Sequence, residues 1–240
     1  MMNLQYFWRS LTMEGRVASQ ARDLMMHVHN SFASDAFARS YRAVRPYTMS
    51  GDARLRGLYS AVEHISRHCI SGAVVECGTA RGGSAALLAL ALRHFSQARQ
   101  LWVFDTFEGI PAPTDADPDY QLAAPYTGSF RGDLEEVTSL FERLQIRDHA
   151  TFVKGLFQDT VAKSETGPIA VLHLDGDWYD SVKVCLDSLY DRVSPGGIVQ
   201  IDDYGHWEGA KKAVDEFFGA RRIRPSLQYL DYTGRQLIKA

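Results

Sequence analysis

The strongest constraint on this chain is an alternation that begins near residue 73. Short apolar runs of strand length take turns with longer stretches of helical pattern. Ala73-Val74-Val75-Glu76-Cys77 reads as a strand, Gly78 to Gly83 as a glycine-rich turn and Ser84 to Phe95 as an apolar helix. Leu101 to Asp105, Thr151 to Lys154, Ile169 to Leu174 and Gly197 to Ile201 read as further strands. Helical patterns occupy Asp133 to Leu144, Tyr179 to Asp191 and Gly209 to Phe218. Such spacing builds βαβ units and a mostly parallel sheet. Leu227 to Leu230 and Arg235 to Ile238 close the chain as an antiparallel pair around Tyr232-Thr233-Gly234.

Ahead of the alternation, residues 1–68 read as an N-terminal helical cap or oligomer segment, and residues 69–240 as the main domain. Trp8, Met25, Met26, Phe32, Phe37 and Tyr41 are too many large apolar groups for a solvated tail. Pro46 interrupts the helix by biasing Arg45 toward extended geometry. Residues 52–68 resume it, with Leu55, Leu58, Val62 and Ile65 at helical spacing. A proline-rich polar segment from Gly109 to Gly132 is too long for an ordinary connection.

Composition excludes several classes. With 26 Lys+Arg against 29 Asp+Glu, the net charge of −3 gives no basic footprint for nucleic acid. Arg221-Arg222-Ile223-Arg224 reads as a solvated helix end. Cys69, Cys77 and Cys185 form no CxxC pair, and a sparse, odd set suggests a reducing compartment. No apolar run approaches the roughly 20 residues that span a bilayer. The start of the chain lacks a secretory pattern, so a cytoplasmic protein is expected.

In an open parallel sheet, ligands bind beyond the carboxyl ends of the strands. Here Glu76 to Gly83, Asp105, Gly155, Asp175 and Asp202-Asp203 occupy those ends. The first turn reads Gly78-Thr79-Ala80-Arg81-Gly82-Gly83-Ser84, a GxxxGG spacing. It is neither the GxGxxG of dinucleotide binders nor a phosphate-binding P-loop. Glycines there let backbone approach a ligand, although a tight turn alone would also require them. Asp105, ending the second strand, suits ribose hydroxyls or serves as a turn residue.

Asp175, Asp202 and Asp203 bring three carboxylates to neighbouring strand ends. Crowded like charges are costly unless a cation neutralises them, and an all-oxygen set suits magnesium or calcium. The alternative is that these groups cap the following helices and point apart. Asp177, two residues beyond Asp175, is a candidate base, with His206 and His173 as others. A histidine in an apolar strand, as His173 is, more often serves the core. Trp178, Tyr179, Tyr204 and Trp207 surround the cluster, either as a platform for sugar rings or as packing.

Taken together, the motifs resemble the macrocin O-methyltransferase family, whose relatives methylate sugar hydroxyls of antibiotics such as mycinamicin and novobiocin. The resemblance runs from Arg45 to Phe218. It rests on Arg45-Pro46-Tyr47-Thr48-Met49, Val75-Glu76-Cys77-Gly78, Arg81-Gly82-Gly83-Ser84 and Phe104-Asp105-Thr106-Phe107-Glu108-Gly109. Lys154-Gly155 with Asp159-Thr160, His173 to Tyr179 and Ile201-Asp202-Asp203-Tyr204 complete it.

The resemblance implies a Rossmann-like class I S-adenosylmethionine fold, with a seven-stranded sheet ending in a hairpin. It implies magnesium on Asp175, Asp202 and Asp203, and Asp177 as general base. The cofactor would meet Thr48, Met49, Glu76, Gly78, Thr79, Gly82, Gly83, Ser84, Asp105, Gly155, Phe157 and Asp175. The expected acceptor is a sugar hydroxyl on a natural product, and the expected assembly a homo-oligomer, dimer or larger. A catechol-like or other small hydroxylated acceptor, a nicotinamide oxidoreductase and a noncatalytic S-adenosylmethionine binder are the competing readings.

Overall fold

The computed structural model describes residues 17–18 and 21–240; Trp8 lies outside them. A helix over 21–32 (α1) leads into α2 (Ala36–Val44) and α3 (Asp52–Arg67). Then follow β1 (Ala73–Cys77), α4 (Gly83–His94), β2 (Leu101–Asp105), α5 (Tyr120–Ala123), α6 (Leu134–Arg143), β3 (Ala150–Lys154), α7 (Phe157–Thr160) and β4 (Ile169–Leu174). The chain ends with α8 (Tyr179–Leu189), β5 (Val193–Ile201), α9 (Glu208–Ala220), β6 (Gln228–Tyr229) and β7 (Arg235–Ile238).

The sheet has seven strands in the order β3-β2-β1-β4-β5-β7-β6. β1 to β5 run parallel, and β7 is antiparallel to both β5 and β6. Strand order therefore reverses between β1 and β4, opening a crevice above their carboxyl ends. β1 and β4 are buried on both faces, so they read as continuous apolar runs rather than alternating ones. Glu76 and His173 are the exceptions, and the register pairs them across β1 and β4.

One apolar cluster joins α2, α3 and α4 to one face of the sheet, and a second joins α8 and α9 to the other. Phe37, Tyr41, Leu55 and Leu58 share the first cluster with Val74 and Leu87, so α2 and α3 pack on the sheet's own core. Asp35 caps α2 by accepting the Ala38 N–H at 2.8 Å.

One strand differs from the sequence reading. β5 begins at Val193, four residues before Gly197. Its pairing with β4 jumps from Ile169↔Val193 to Val171↔Ile198. Pro195-Gly196-Gly197 is thus a bulge inside the strand, the kind of site where proline and glycine survive in a sheet. The Gly109–Gly132 segment, whose length marks it as more than a connection, is built. It contains α5 and is tied at its base by Ile110 N–H to Ser129 O (3.0 Å) and Gly128 N–H to Ile110 O (2.8 Å).

Candidate active site

A cavity of about 500 Å³ occupies the crevice. Thr48, Met49, Gly78, Thr79, Ser84, Asp105 and Phe157 line one part, and Asp175, Asp177, Asp202 and Asp203 another. Glu76, Gly82, Gly83 and Gly155 are not among its lining residues.

The turn after β1 is packed tightly. Gly78 has φ +91°, and a Cβ there would stand 1.9 Å from the Asp175 carbonyl oxygen, so no side chain fits. A Cβ on Gly83 would meet the Tyr47 carbonyl at 2.6 Å, which brings the start of α4 against the Tyr47-Thr48 segment. Asp105 holds the turn in place. Its Oδ2 accepts the N–H groups of Thr79 (2.7 Å) and Ala80 (3.1 Å), and its Oδ1 accepts that of Phe107 (2.7 Å). Of the two roles open from sequence, this geometry displays the turn-bracing one.

Across the crevice the carboxylates have few such donors. One oxygen each from Asp175, Asp177 and Asp203 lie within 4.8 Å of one another. His173, Asp175 and Asp202 form a second such group. The His173 nitrogens are already committed, Nδ1 to Glu76 Oε1 (2.9 Å) and Nε2 facing Asp202 Oδ1 (3.5 Å). Asp202 turns its other oxygen to Arg54, which also donates from Nε to Asp231 Oδ2 at 2.9 Å. Asp175 therefore belongs to both groups, whereas Asp202 and Asp203 face different partners.

Protonation follows these contacts. Burial, with Asp202, Asp203 and Asp177 nearby, pushes the Asp175 carboxyl well above its usual range. Asp177 is raised by burial and by Asp203 and Asp202, against the indole N–H of Trp207. Asp203 is raised to about 7 by burial and Asp202. Asp202 moves the other way: burial would raise it, but Arg54 and His173 hold it below the ordinary carboxylate value. For His173, burial favours the neutral ring, yet Asp202 and Glu76 raise it to about 9.

These carboxylates do not cap the following helices. Asp117 Oδ1 accepts the Tyr179 N–H (2.7 Å) at the start of α8, and Asp119 Oδ2 accepts the Glu208 N–H (3.0 Å) at the start of α9. Both come from the proline-rich segment. Trp178 donates its indole N–H to Pro111 O (2.7 Å), which fastens the same segment to the turn before α8.

Of the four aromatics near the cluster, Trp207 alone lines the cavity. Its Nε1–H reaches Asp177 Oδ1 at 3.1 Å. Tyr179 and Tyr204 direct their hydroxyls to Glu216 and Asp215, and Trp178 is buried, so these three are packing. His206 meets the Tyr232 hydroxyl at 2.5 Å, and both line the cavity.

Sequence reasoning missed Arg54, Asp117 and Asp119. Arg54 was hidden in a helix read only for its apolar face. Its one cue was a buried-side position at the start of α3. The Asp-Pro-Asp run of the proline-rich segment was the cue for the two caps.

Among the described residues, carboxylates crowded this closely and offset only in part by Arg54 would suit a hard divalent ion. Oxygens from Asp175, Asp177, Asp202 and Asp203 are the donors at hand.

Comparisons with known proteins identify relatives of this chain. A family model described as macrocin O-methyltransferase matches residues 7–238. An 8-demethyl-8-(2,3-dimethoxy-alpha-L-rhamnosyl)-tetracenomycin-C 4'-O-methyltransferase from Streptomyces olivaceus is 37% identical over 193 residues, covering 78% of this chain and 74% of the relative. The solved structure of the O-methyltransferase NovP superposes with a TM-score of 0.75 at 32% identity, covering 81% of this chain and 82% of its own. An S-adenosylhomocysteine-bound Podospora anserina methyltransferase shares the fold, at a TM-score of 0.58 and 15% identity over 92% of this chain and 96% of its own.

Proposed function

Because the chain belongs to the macrocin O-methyltransferase family, we propose that it transfers a methyl group from S-adenosylmethionine to a sugar hydroxyl on a natural product, assisted by magnesium. The observation that carries this reading is the pairing of two unlike walls in one cavity. One is a braced glycine turn able to cradle a donor; the other is a crowd of carboxylates at the ends of β4 and β5.

Thr48, Met49, Gly78, Thr79, Ser84, Asp105, Phe157 and Asp175 would face the donor, with Glu76, Gly82, Gly83 and Gly155 close to them in the chain. S-adenosylmethionine supplies a methyl already activated on a sulfonium centre. Asp175, Asp202 and Asp203 would hold the cation, which when bound supplies Lewis acidity toward an acceptor hydroxyl. Arg54 and His173 keep Asp202 ionised for that role. Asp177 would take the proton that the hydroxyl gives up as its oxygen gains the methyl. The chain's main contribution is positioning, which can supply about 7–11 kcal/mol of barrier lowering. Trp207 and the proline-rich segment exclude water over the reacting groups.

Leu24, Met25, Val28 and Phe32 are exposed on α1. This supports the N-terminal segment as an oligomer contact, which size-exclusion chromatography with light scattering would test. Among the described residues no helix is long and apolar enough to cross a membrane. The near-neutral net charge supports a small-molecule acceptor rather than nucleic acid, and the sparse cysteines support a cytoplasmic setting.

The decisive experiment titrates S-adenosylmethionine into chelator-treated protein by calorimetry, then adds magnesium and a panel of glycosylated acceptors with mass detection. Cofactor binding followed by a magnesium-dependent gain of one methyl mass is expected. Absence of cofactor binding with or without metal would refute the reading.

A further inference from the structure

Asp177 is held in an unusual way. Its φ is +58°, a left-handed conformation uncommon for a residue with a side chain. Its own N–H points to Asp203 Oδ2 at 3.3 Å. Backbone strain here is tolerated because the surroundings fix the residue, and Trp207 does so from the side. The indole N–H meets Oδ1 at 3.1 Å, and no described residue donates a hydrogen bond to Oδ2.

The indole is itself clamped. Trp178 packs edge-on against it with ring centroids 4.9 Å apart, and Tyr126 does so at 5.5 Å. Trp178 is pinned to Pro111 O, and Tyr126 belongs to the proline-rich segment. Trp207 keeps only 8% of its surface, yet it lines the cavity. A tryptophan serving only as filler would need no such directed contact, because a buried indole N–H can be satisfied by any carbonyl. Here it is spent on the carboxylate that stands in the reaction site.

We propose that Trp207 is a positioning residue: its indole N–H pins Oδ1 of Asp177 and so presents Oδ2 to the acceptor hydroxyl. The assignment rests on Asp177 as the proton acceptor. Because a carboxylate pivots freely about its Cα–Cβ and Cβ–Cγ bonds, an unpinned Asp177 would spend much of its time aimed elsewhere. A displacement on the order of 1 Å at a reacting group can cost about 10²-fold in rate. The aromatic contacts from Trp178 and Tyr126 carry this orientation back to the proline-rich segment, so the wall that covers the acceptor also aims the base.

The test is a double-mutant cycle on full-length protein, with turnover followed by mass detection and donor affinity by calorimetry. Trp207→Phe keeps an aromatic ring and removes the N–H. It is expected to lower kcat by about 10-fold to 10²-fold, leaving KM for the acceptor and the affinity for S-adenosylmethionine within twofold. In an Asp177→Asn background the same substitution is expected to cost nothing more, since there is no base left to aim. Replacing Trp207 with benzothienylalanine, which exchanges N–H for sulfur at nearly unchanged shape, reproduces the loss if the phenylalanine variant folds poorly. A kcat unchanged by either replacement, a loss confined to KM, or a full additional loss in the Asp177→Asn background would overturn the assignment. Full turnover by Asp177→Asn alone would instead refute Asp177 as the base, a result readily told apart from the others.

Discussion

The two walls of the cavity treat aspartate in opposite ways. At the turn after β1, Asp105 accepts three backbone N–H groups, from Thr79, Ala80 and Phe107, and its charge is spent on holding a shape. At the ends of β4 and β5, Asp175, Asp177 and Asp203 stand within 4.8 Å of one another with few donors, and burial and mutual repulsion raise all three. The same side chain is architecture on one side and reserve on the other. A buried carboxylate spent on backbone donors gains little from a ligand. One left short of donors gains by meeting a cation or a proton.

The largest effect expected from this contrast is on turnover. Asp177→Asn should lower kcat by about 10²-fold to 10⁴-fold, the range for a lost general base, while S-adenosylmethionine binding and thermal stability stay near native. Asp105→Ala should show the reverse pattern. Hydrogen bonds to a charged group contribute about 1.5–3 kcal/mol each, so a net loss of about 3 kcal/mol is expected, or about 6–12 °C in Tm for a chain of this size. Donor affinity should fall with it. If Asp105→Ala proved as stable as the native protein, the bracing role would be wrong and the contrast would collapse.

Magnesium sharpens the other side. At a concentration of about 100 times Kd it should stabilise chelator-treated protein by about 2.7 kcal/mol, read as a rise of about 5–10 °C in Tm at pH 7.5. Asp203→Asn should abolish most of that rise. The sign of the pH dependence follows from Asp203, raised from 3.8 to about 7 in the folded chain. The folded state then binds more protons than the unfolded one, so this contribution is complete below pH 3.8 and is lost as pH climbs to about 7. Chelator-treated protein should accordingly lose stability between those values, and magnesium should recover it at the upper end. Melting curves across pH, with and without metal, check both.

Most of the sheet was legible because its signal is local. β2, β4 and β7 occupy the expected residues, since an apolar run bounded by turn residues carries its own limits. β5 was cut short because its bulge contains Pro195, Gly196 and Gly197, the residues that ordinarily end a strand; only the pairing with Ile169 and Val171 shows that the strand continues. In the candidate site, the strand-end position of Asp105 and of the acidic cluster was readable from alternation alone. What each carboxylate does was not, because its partners come from distant parts of the chain: Arg54 lies 148 residues from Asp202, and Asp117 lies 62 from Tyr179. No local pattern encodes such pairings.

The capping aspartates give the smallest effect and the most pointed test. Asp117 is only 3% exposed and accepts from Tyr179 and Thr114, so it does for α8 what a residue just ahead of the helix would ordinarily do. Asp117→Ala should cost about 1 kcal/mol, the usual effect of losing such a cap, or about 2–4 °C in Tm. The vacated Tyr179 N–H would then be available to Asp175 or Asp177, two to four residues upstream, and either one would leave the cluster on accepting it. The magnesium midpoint should therefore weaken several-fold in this variant. It should not move in Arg93→Ala, which removes hydrogen bonds to Leu144 and Gln145 far from the cavity. A loss of stability with an unchanged midpoint would mean that the caps from the proline-rich segment merely hold α8, and that the carboxylates of the cluster stay free for some other reason. A weakened midpoint would mean that the molecule keeps its reactive aspartates unspent by having other aspartates do their structural work.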